Sequence, residues 1–319
     1  MNVQPKVSVI IPTYNNARYL PESIDSVLRQ SYQDVEIIVV DDGSTDDTPS
    51  VLAKYGNDIT VIRTENHGGP SRPRNIGIAQ AAGGLIALFD SDDIMFPQKL
   101  ETQVSMFLKY PDMELLSTNF RSIDASGNVL TPDYLREYES FRGILHARGE
   151  NVYQLGADKL YMALNTSNYI GTSGVMTRDY VLKDNPFDEA LTCIEDIDLW
   201  LRLALKSVSF YFLDVVLHSY RIRKGSLERR TTERFPSAHH FWSNQMDRVV
   251  RTAKISESEI EVLMERRISV YENYIHRCIE ERKCRDARNV YQEILAFSPE
   301  YSNKKVLLKL WLCKVLGRS

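Results

Sequence analysis

Short, largely apolar runs separated by amphipathic stretches dominate the first hundred residues. Val7 to Ile11, Glu36 to Val40 and Leu85 to Phe89 are rich in β-branched and aliphatic residues. Runs of this length without a regular polar face predict strands buried on both sides, as in a parallel sheet. Helical patterns lie between them. Pro21 to Gln30 sets Ile24, Val27 and Leu28 on one face, and Thr48-Pro49 opens a helix with a cap residue and then proline at the first position. Asn75 to Ala82 is helix-like and closes on Gly83-Gly84. Strands alternating with helices predict an α/β fold with a doubly wound, mostly parallel sheet.

Each apolar run ends in a polar cluster. The first ends at Pro12-Thr13-Tyr14-Asn15, the second at Asp41-Asp42-Gly43-Ser44-Thr45-Asp46, and the third at Asp90-Ser91-Asp92-Asp93. Ligands of doubly wound sheets bind beyond the carboxyl ends of the strands, so three clusters at three such ends suit a nucleotide. The acidic run can gather a hard divalent cation and the diphosphate it bridges. In extended backbone Asp90 and Asp92 point the same way. Helix capping before Pro97 is the competing reading, and it accounts for one or two of these carboxylates. For Asp41-Asp42-Gly43-Ser44 the competing reading is a plain turn.

Composition narrows the class without choosing it. The chain has 319 residues, 43% hydrophobic and 26% charged, with a net charge of −4. That balance gives no sign of a nucleic-acid partner. Cys193, Cys278, Cys284 and Cys313 form no C-x-x-C pair and suggest no disulfide framework, which fits a reducing, cytoplasmic setting. The first residues lack the apolar core of a secretion signal, and no run of about twenty apolar residues predicts a membrane span.

Together these segments resemble the family-2 glycosyltransferases of the GT-A fold. The matching residues are Val7 to Asn15, Val39 to Asp46, Arg74-Asn75-x-Gly77-Ile78, Phe89 to Asp93 and Glu195-Asp196-x-Asp198-Leu199-Trp200-Leu201-Arg202. The resemblance covers roughly residues 7 to 225. It implies inverting transfer of a sugar from a nucleotide-diphosphate donor, a UDP- or dTDP-sugar, to an acceptor hydroxyl. It also implies Mn2+ or Mg2+, with Asp92 as first choice for direct ligand. Asp90 would reach the ribose or a metal-bound water, and Asp93 the metal or the acceptor side. Asp41 would read the pyrimidine edge, Tyr14 stack on the ring, and Pro12, Thr13 and Ser91 line the donor site. Arg74 would reach the diphosphate, with Arg72 as the competing candidate.

Glu195 to Leu205 reads as a helix with Ile197, Trp200, Leu201, Ala204 and Leu205 on its apolar face. Acidic residues in a first turn often only complement the helix dipole. The resemblance instead makes Asp196 the base that deprotonates the acceptor, with Glu195 as its helper and Asp198 structural. Ile170 to Met176 resembles an acceptor-pocket strand. His218 to Ser226 resembles a mobile loop in which Arg221, Arg223 and Lys224 neutralise diphosphate charge, although Arg223 stands where a histidine is often found.

Residues 120 to 165 are rich in charge and tyrosine and form an insert over the acceptor side. From about 232 the pattern turns helical: His239 to Lys254, Ser256 to Arg282, Cys284 to Phe297 and Ser302 to Leu316. The expected organisation is therefore a transferase domain over 1–231, with halves meeting near 115, and a helical extension over 232–319. Its last helix suits packing within the protein, a homo-oligomer contact, or peripheral contact with the inner face of the membrane. The acceptor expected from the resemblance is a carbohydrate or lipid-linked saccharide in bacterial polysaccharide or glycolipid assembly. A sugar nucleotidyltransferase would carry a glycine-rich basic loop where Pro12 to Asn15 stand. A non-catalytic binding module would need no pairing of Asp92 with Asp196.

Overall fold

The computed structural model describes residues 4–135, 139–223, 235–252 and 255–316. The chain divides into two compact units, Met1–Lys224 and Gly225–Ser319. The boundary expected at 231/232 lies outside the described residues.

The first unit opens with β1 (Val7–Thr13), α1 (Leu20–Leu28), β2 (Val35–Asp41), α2 (Thr48–Leu52), β3 (Thr60–Arg63), α3 (Ser71–Gln80) and β4 (Leu85–Leu88). It continues through β5 (Ile94–Met95), α4 (Lys99–Lys109), β6 (Leu115–Ile123), β7 (Val129–Thr131), α5 (Glu139–Arg142), β8 (Leu145–Gly149) and β9 (Val152–Leu155). Then come α6 (Ala157–Thr166), β10 (Met176–Arg178), α7 (Asp179–Lys183), α8 (Glu195–Leu205) and β11 (Phe210–Arg221). One sheet runs β3-β2-β1-β4-β10-β6-β11-β9-β8, with β5 beside β11 and β7 beside β6. Strands β3, β2, β1 and β4 are parallel, so their carboxyl ends share one edge. Strand β10 runs antiparallel to both β4 and β6 and joins the two halves. This is the mixed, mostly parallel sheet with flanking helices that the apolar runs predict.

Burial explains the pattern. All seven β1 residues and all four β4 residues are buried, because helices cover both faces of the sheet. Ile24 and Val27 of α1 pack into the core with Val9, Val39 and Phe107. Gly77 lets α3 lie close on the sheet, since a Cβ there would sit 2.6 Å from Ile10 Cγ2. The insert is not featureless: β8 and β9 form a hairpin that extends the sheet edge. His218 to Arg221 belong to β11 rather than to a loop after it, and Lys224, Gly225 and Ser226 of the expected loop lie outside the described residues.

The second unit contains α9 (Phe235–Thr252), α10 (Glu257–Glu280), α11 (Cys284–Phe297) and α12 (Lys304–Leu316). A capping box opens α10, with the Ser256 hydroxyl and Glu259 carboxylate satisfying each other's backbone N–H. Tyr271, Ile275, Ala287, Ile294 and Val306 are fully buried among these helices. The cysteine reading needs correction. Cys284 and Cys313, 29 residues apart, are joined in a disulfide with their Cα atoms 5.8 Å apart, whereas Cys193 and Cys278 are free and buried. Packing of α11 against α12 creates this proximity, and linear spacing carries no trace of it. Closing a loop of that length stabilises a fold by about 3–4 kcal/mol. Thermal melts should therefore show the helical unit losing stability in dithiothreitol, and Cys284→Ser should remove that sensitivity.

Candidate active site

The loops after β1 and β2 are tied to each other. Asn15, at φ 48°, donates its backbone N–H to Ser44 Oγ at 2.8 Å, and its Oδ1 accepts from Thr45 N at 2.7 Å and Asp46 N at 3.2 Å. A left-handed residue with a short amide is what lets the chain reverse there. Gly43, at φ +73°, turns the β2 loop where a Cβ would meet Asn66 N at 2.7 Å. These bonds fix Asp41, which is 1% exposed. Its Oδ1 accepts from Ser44 N at 2.9 Å, Arg63 Nε lies 3.7 Å from Oδ2, and Oδ2 has no hydrogen-bond partner. Thr13 Oγ1, at the end of β1, is likewise buried and unpartnered. Native folds rarely leave such atoms unsatisfied, so orphans at adjoining strand ends point to a polar ligand. Tyr14 stands beside them with 47% of its surface open.

The acidic run after β4 is held from several sides. Ser173 Oγ receives the Asp90 N–H at 3.0 Å, and Asn16 Nδ2 donates to Ser91 O at 2.9 Å and to Ser91 Oγ at 2.8 Å. Arg74 Nη2 donates to Asp90 Oδ1 at 2.7 Å, and Arg223 Nε to Asp92 Oδ2 at 2.6 Å. Asp93 is buried, with Oδ1 on the Arg221 backbone N–H at 2.9 Å and Oδ2 unpartnered. Burial raises the Asp93 pKa well above the carboxylate range, and the charges of Asp92 and Asp90 add to it. Burial also raises Asp92, with Arg223 opposing. Below them, the buried Lys99 ammonium donates to Gln103 Oε1 at 2.8 Å, and burial lowers its pKa to about 7 against the pull of Asp93. His218 is buried, stacked on Phe120 at 5.1 Å, and burial holds its pKa well below the usual value.

The carboxylates that open α8 reach the same place through α3. Ser71 Oγ donates to Leu191 O at 2.8 Å, and Asn75 exchanges two 2.9 Å bonds with the Phe187 backbone. The segment before α8 is thereby fixed, and Ile194 takes φ 60° as it enters the helix. That is a strained conformation for a β-branched residue, and here it turns the chain immediately before the carboxylate pair. Glu195 Oε1 accepts from Arg74 Nη1 at 2.6 Å. One buried guanidinium, 3% exposed, thus joins Asp90 to Glu195. Burial works against its charge, yet the Asp90 and Glu195 carboxylates outweigh that and raise its pKa. Half-buried Asp196 accepts from Asn168 Nδ2 at 2.9 Å and Thr172 Oγ1 at 3.4 Å, and burial raises its pKa with Arg74 opposing. Burial raises Glu195 as well, with Arg74 opposing and Asp196 adding.

The strand ends therefore bring together Thr13, Tyr14, Asp41, Asp90, Ser91 and Asp92, with Glu195 and Asp196 facing them across Arg74. Two cations expected at the diphosphate have protein partners of their own. Arg74 is committed to carboxylates on both arms. Arg221 is buried, donates to Asp92 O at 2.8 Å and Glu22 Oε2 at 2.5 Å, and lies 4.9 Å from the Tyr19 ring. Both hold the site in shape, and Arg74 Nε is buried with no hydrogen-bond partner. Sequence reasoning missed Asn16, Arg63, Ser173, Asn168 and Thr172, whose partners lie far along the chain. Asn16 directly follows the first cluster, and Thr172 and Ser173 fall within the small-residue segment already singled out.

Among the described residues no group of three His, Cys, Asp or Glu is arranged to hold a metal. The donor set still fits a hard cation. Such ions take one or two carboxylates and complete their shell with water and phosphate. Asp90 and Asp92 are each paired here with an arginine.

A family profile described as Glycosyl transferase family 2 matches residues 8–180. Glycosyltransferase GlyG of Streptococcus pneumoniae is 30% identical over 231 residues, 70% of this chain and 73% of that protein. An uncharacterized glycosyltransferase of Rickettsia bellii is 29% identical over 79% of this chain, which spans only 35% of that relative's length. The fold is similar to Staphylococcus aureus TarS 1–349 in complex with UDP-GlcNAc, at TM-score 0.63 and 21% identity over 85% of this chain and 80% of that one. It is also similar to the mannosyltransferase PcManGT of Pyrobaculum calidifontis, in complex with GDP-Man and Mn2+. There the TM-score is 0.56 at 16% identity, over 100% of this chain and 82% of that one.

Proposed function

The chain belongs to glycosyl transferase family 2, and on that premise we propose that it moves a sugar from a nucleotide-diphosphate donor to an acceptor hydroxyl with inversion. The observation that carries this reading is the pair of orphaned buried oxygens, Thr13 Oγ1 and Asp41 Oδ2, beside exposed Tyr14 at the strand ends. A carboxylate can only accept, so Asp41 Oδ2 suits the ring N–H of uracil or thymine, with Tyr14 stacking on the ring. UDP- or dTDP-sugars are therefore the favoured donors. The two similar folds are complexes with the nucleotide sugars UDP-GlcNAc and GDP-Man, which supports a donor of that class.

Asp92, aided by Asp90, would hold Mn2+ or Mg2+, a cation that when bound offsets the charge of the departing diphosphate. The protein's own share lies opposite. Asp196 takes the proton from the acceptor hydroxyl as its oxygen bonds to the anomeric carbon. The bond from that carbon to the diphosphate oxygen breaks, and its electron pair leaves with the nucleotide. Attack from the side away from the leaving group inverts the centre. Glu195 is held by Arg74 and fixes the helix start that aims Asp196. Asp93 and Arg221 shape the acidic loop.

Thermal shift with nucleoside diphosphates tests donor binding. A ligand present at a hundred times its Kd stabilises by about 2.7 kcal/mol. UDP or dTDP with Mn2+ should raise Tm by several degrees, and GDP by less. Asp92→Ala should abolish the metal-dependent part, and Asp41→Asn should erase the preference for a pyrimidine. Equal shifts with all nucleotides, or an Asp41→Asn protein that still prefers UDP, would refute the assignment of the base site.

A further inference from the structure

Helix α12 is apolar on two sides. Val306 and Leu310 are buried against the other helices of its unit, and the Cys284–Cys313 disulfide anchors that face to α11. Leu307, Leu308 and Trp311 point the other way, 41%, 58% and 58% exposed. Large apolar side chains clustered on an outer face mark a contact surface. The surrounding charge says which kind. Residues 301–319 carry Lys304, Lys305, Lys309, Lys314 and Arg318 and no Asp or Glu, in a chain whose net charge is −4. Lys304, Lys305 and Lys309 are all exposed on this helix. At 13 residues the helix is about 20 Å long, too short to span a bilayer.

We infer that α12 is a membrane-surface anchor that seats Leu307, Leu308 and Trp311 in the head-group layer of an anionic bilayer while its lysines pair with lipid phosphates. A helix too short to span can seat its outward apolar side chains in the interface while nearby lysines stay at the level of the head groups. Tryptophan favours that depth because its ring is apolar and its N–H polar. An acidic protein as a whole gains nothing from an anionic surface, so the attraction has to be local. The disulfide matters here, because it keeps the inner face docked and the outer face presented. This inference is independent of the transfer reaction and of its donor.

The test uses the full chain with vesicles of phosphatidylcholine alone or mixed with phosphatidylglycerol, and two readouts. Trp200 and Trp242 are buried, so a change in tryptophan emission on vesicle addition reports Trp311. The expected result is a blue shift and co-flotation with the anionic vesicles only, both weakened by salt. The Leu308→Ser/Trp311→Ser variant should lose flotation while keeping the wild-type melt, since neither side chain is in the core. Replacing Lys304, Lys305 and Lys309 by Gln should lower the partition coefficient roughly a hundredfold. The inference is overturned if anionic vesicles bind no better than neutral ones, or if the Leu308→Ser/Trp311→Ser variant binds as wild type. It is equally overturned if sedimentation velocity shows a wild-type oligomer that the variant breaks while vesicles bind neither protein, because the face then belongs to a second copy of the chain.

Discussion

Asp196→Asn is expected to remove sugar transfer almost completely, by about 10²–10⁴-fold in kcat, while leaving donor affinity unchanged. The amide keeps the shape of the carboxylate and can hold the N-terminal geometry of α8, but it cannot take a proton. Its neighbours Asn168 and Thr172 remain in place to bond it. The same assignment fixes a pH dependence. Burial raises the Asp196 pKa, so protonation starts above the ordinary carboxylate range. Only the deprotonated form is a base. The rate should therefore fall as pH drops through that raised value, with the acid limb displaced upward from that of an exposed aspartate. Steady-state rates between pH 4 and pH 9 check this, with parallel nucleotide titrations separating binding from turnover. Normal turnover in the Asn variant would remove Asp196 from the mechanism.

Arg74→Ala should strongly destabilise the first unit. The guanidinium is buried between Asp90 and Glu195 at 2.7 Å and 2.6 Å, and Glu195 has little access to water. Removing one member of a buried ionic network strands the others and costs about 3–5 kcal/mol. For a unit of this size that corresponds to a Tm lower by about 10 °C. Lysine should rescue poorly, because a single ammonium cannot satisfy two carboxylates in the geometry of a planar fork. Adding Glu195→Gln to Arg74→Ala should recover part of the stability, since the stranded charge is then gone, without recovering activity. Calorimetry of the three proteins measures this coupling. An Arg74→Ala protein as stable as wild type would mean the bridge is incidental.

The parallel half was legible because burial on both faces leaves a simple signature. Strands β1, β2 and β4 carry largely apolar runs, interrupted by Ser8 and Glu36, and polar clusters begin at their carboxyl ends. Helix α8 was legible from its apolar face, and the turn at Gly127 from Ser126-Gly127-Asn128, where the Asp124 carboxylate accepts backbone N–H groups. Strand β11 was legible only in part. Its last residues, His218 to Arg221, are polar and read as loop, yet His218, Ser219 and Arg221 are buried because β5 and β6 pair with this stretch and Arg221 bonds Asp92, Asp93 and Glu22. A polar residue buried by long-range partners looks like an exposed one in a linear sequence. Arg74 illustrates the same limit. Its basic character suggested an anion, but its partners lie 16 and 121 positions away, and which anion it meets is decided by how α3 and α8 pack. The disulfide is a third instance, since two helices had to be folded together before Cys284 and Cys313 became neighbours.

If the acidic loop after β4 and the carboxylate at the start of α8 act on one sugar, a donor held at the first must present its anomeric carbon to the second. A crystal structure of the Asp196→Asn protein with Mn2+ and an intact UDP- or dTDP-sugar tests it most directly, because turnover is blocked and the donor stays whole. The expected complex has the pyrimidine on Tyr14 and Asp41, the cation on Asp92, and the anomeric carbon facing position 196 with space for one hydroxyl between them. A donor whose anomeric carbon turns away from position 196, or one bound outside the strand ends, would contradict it.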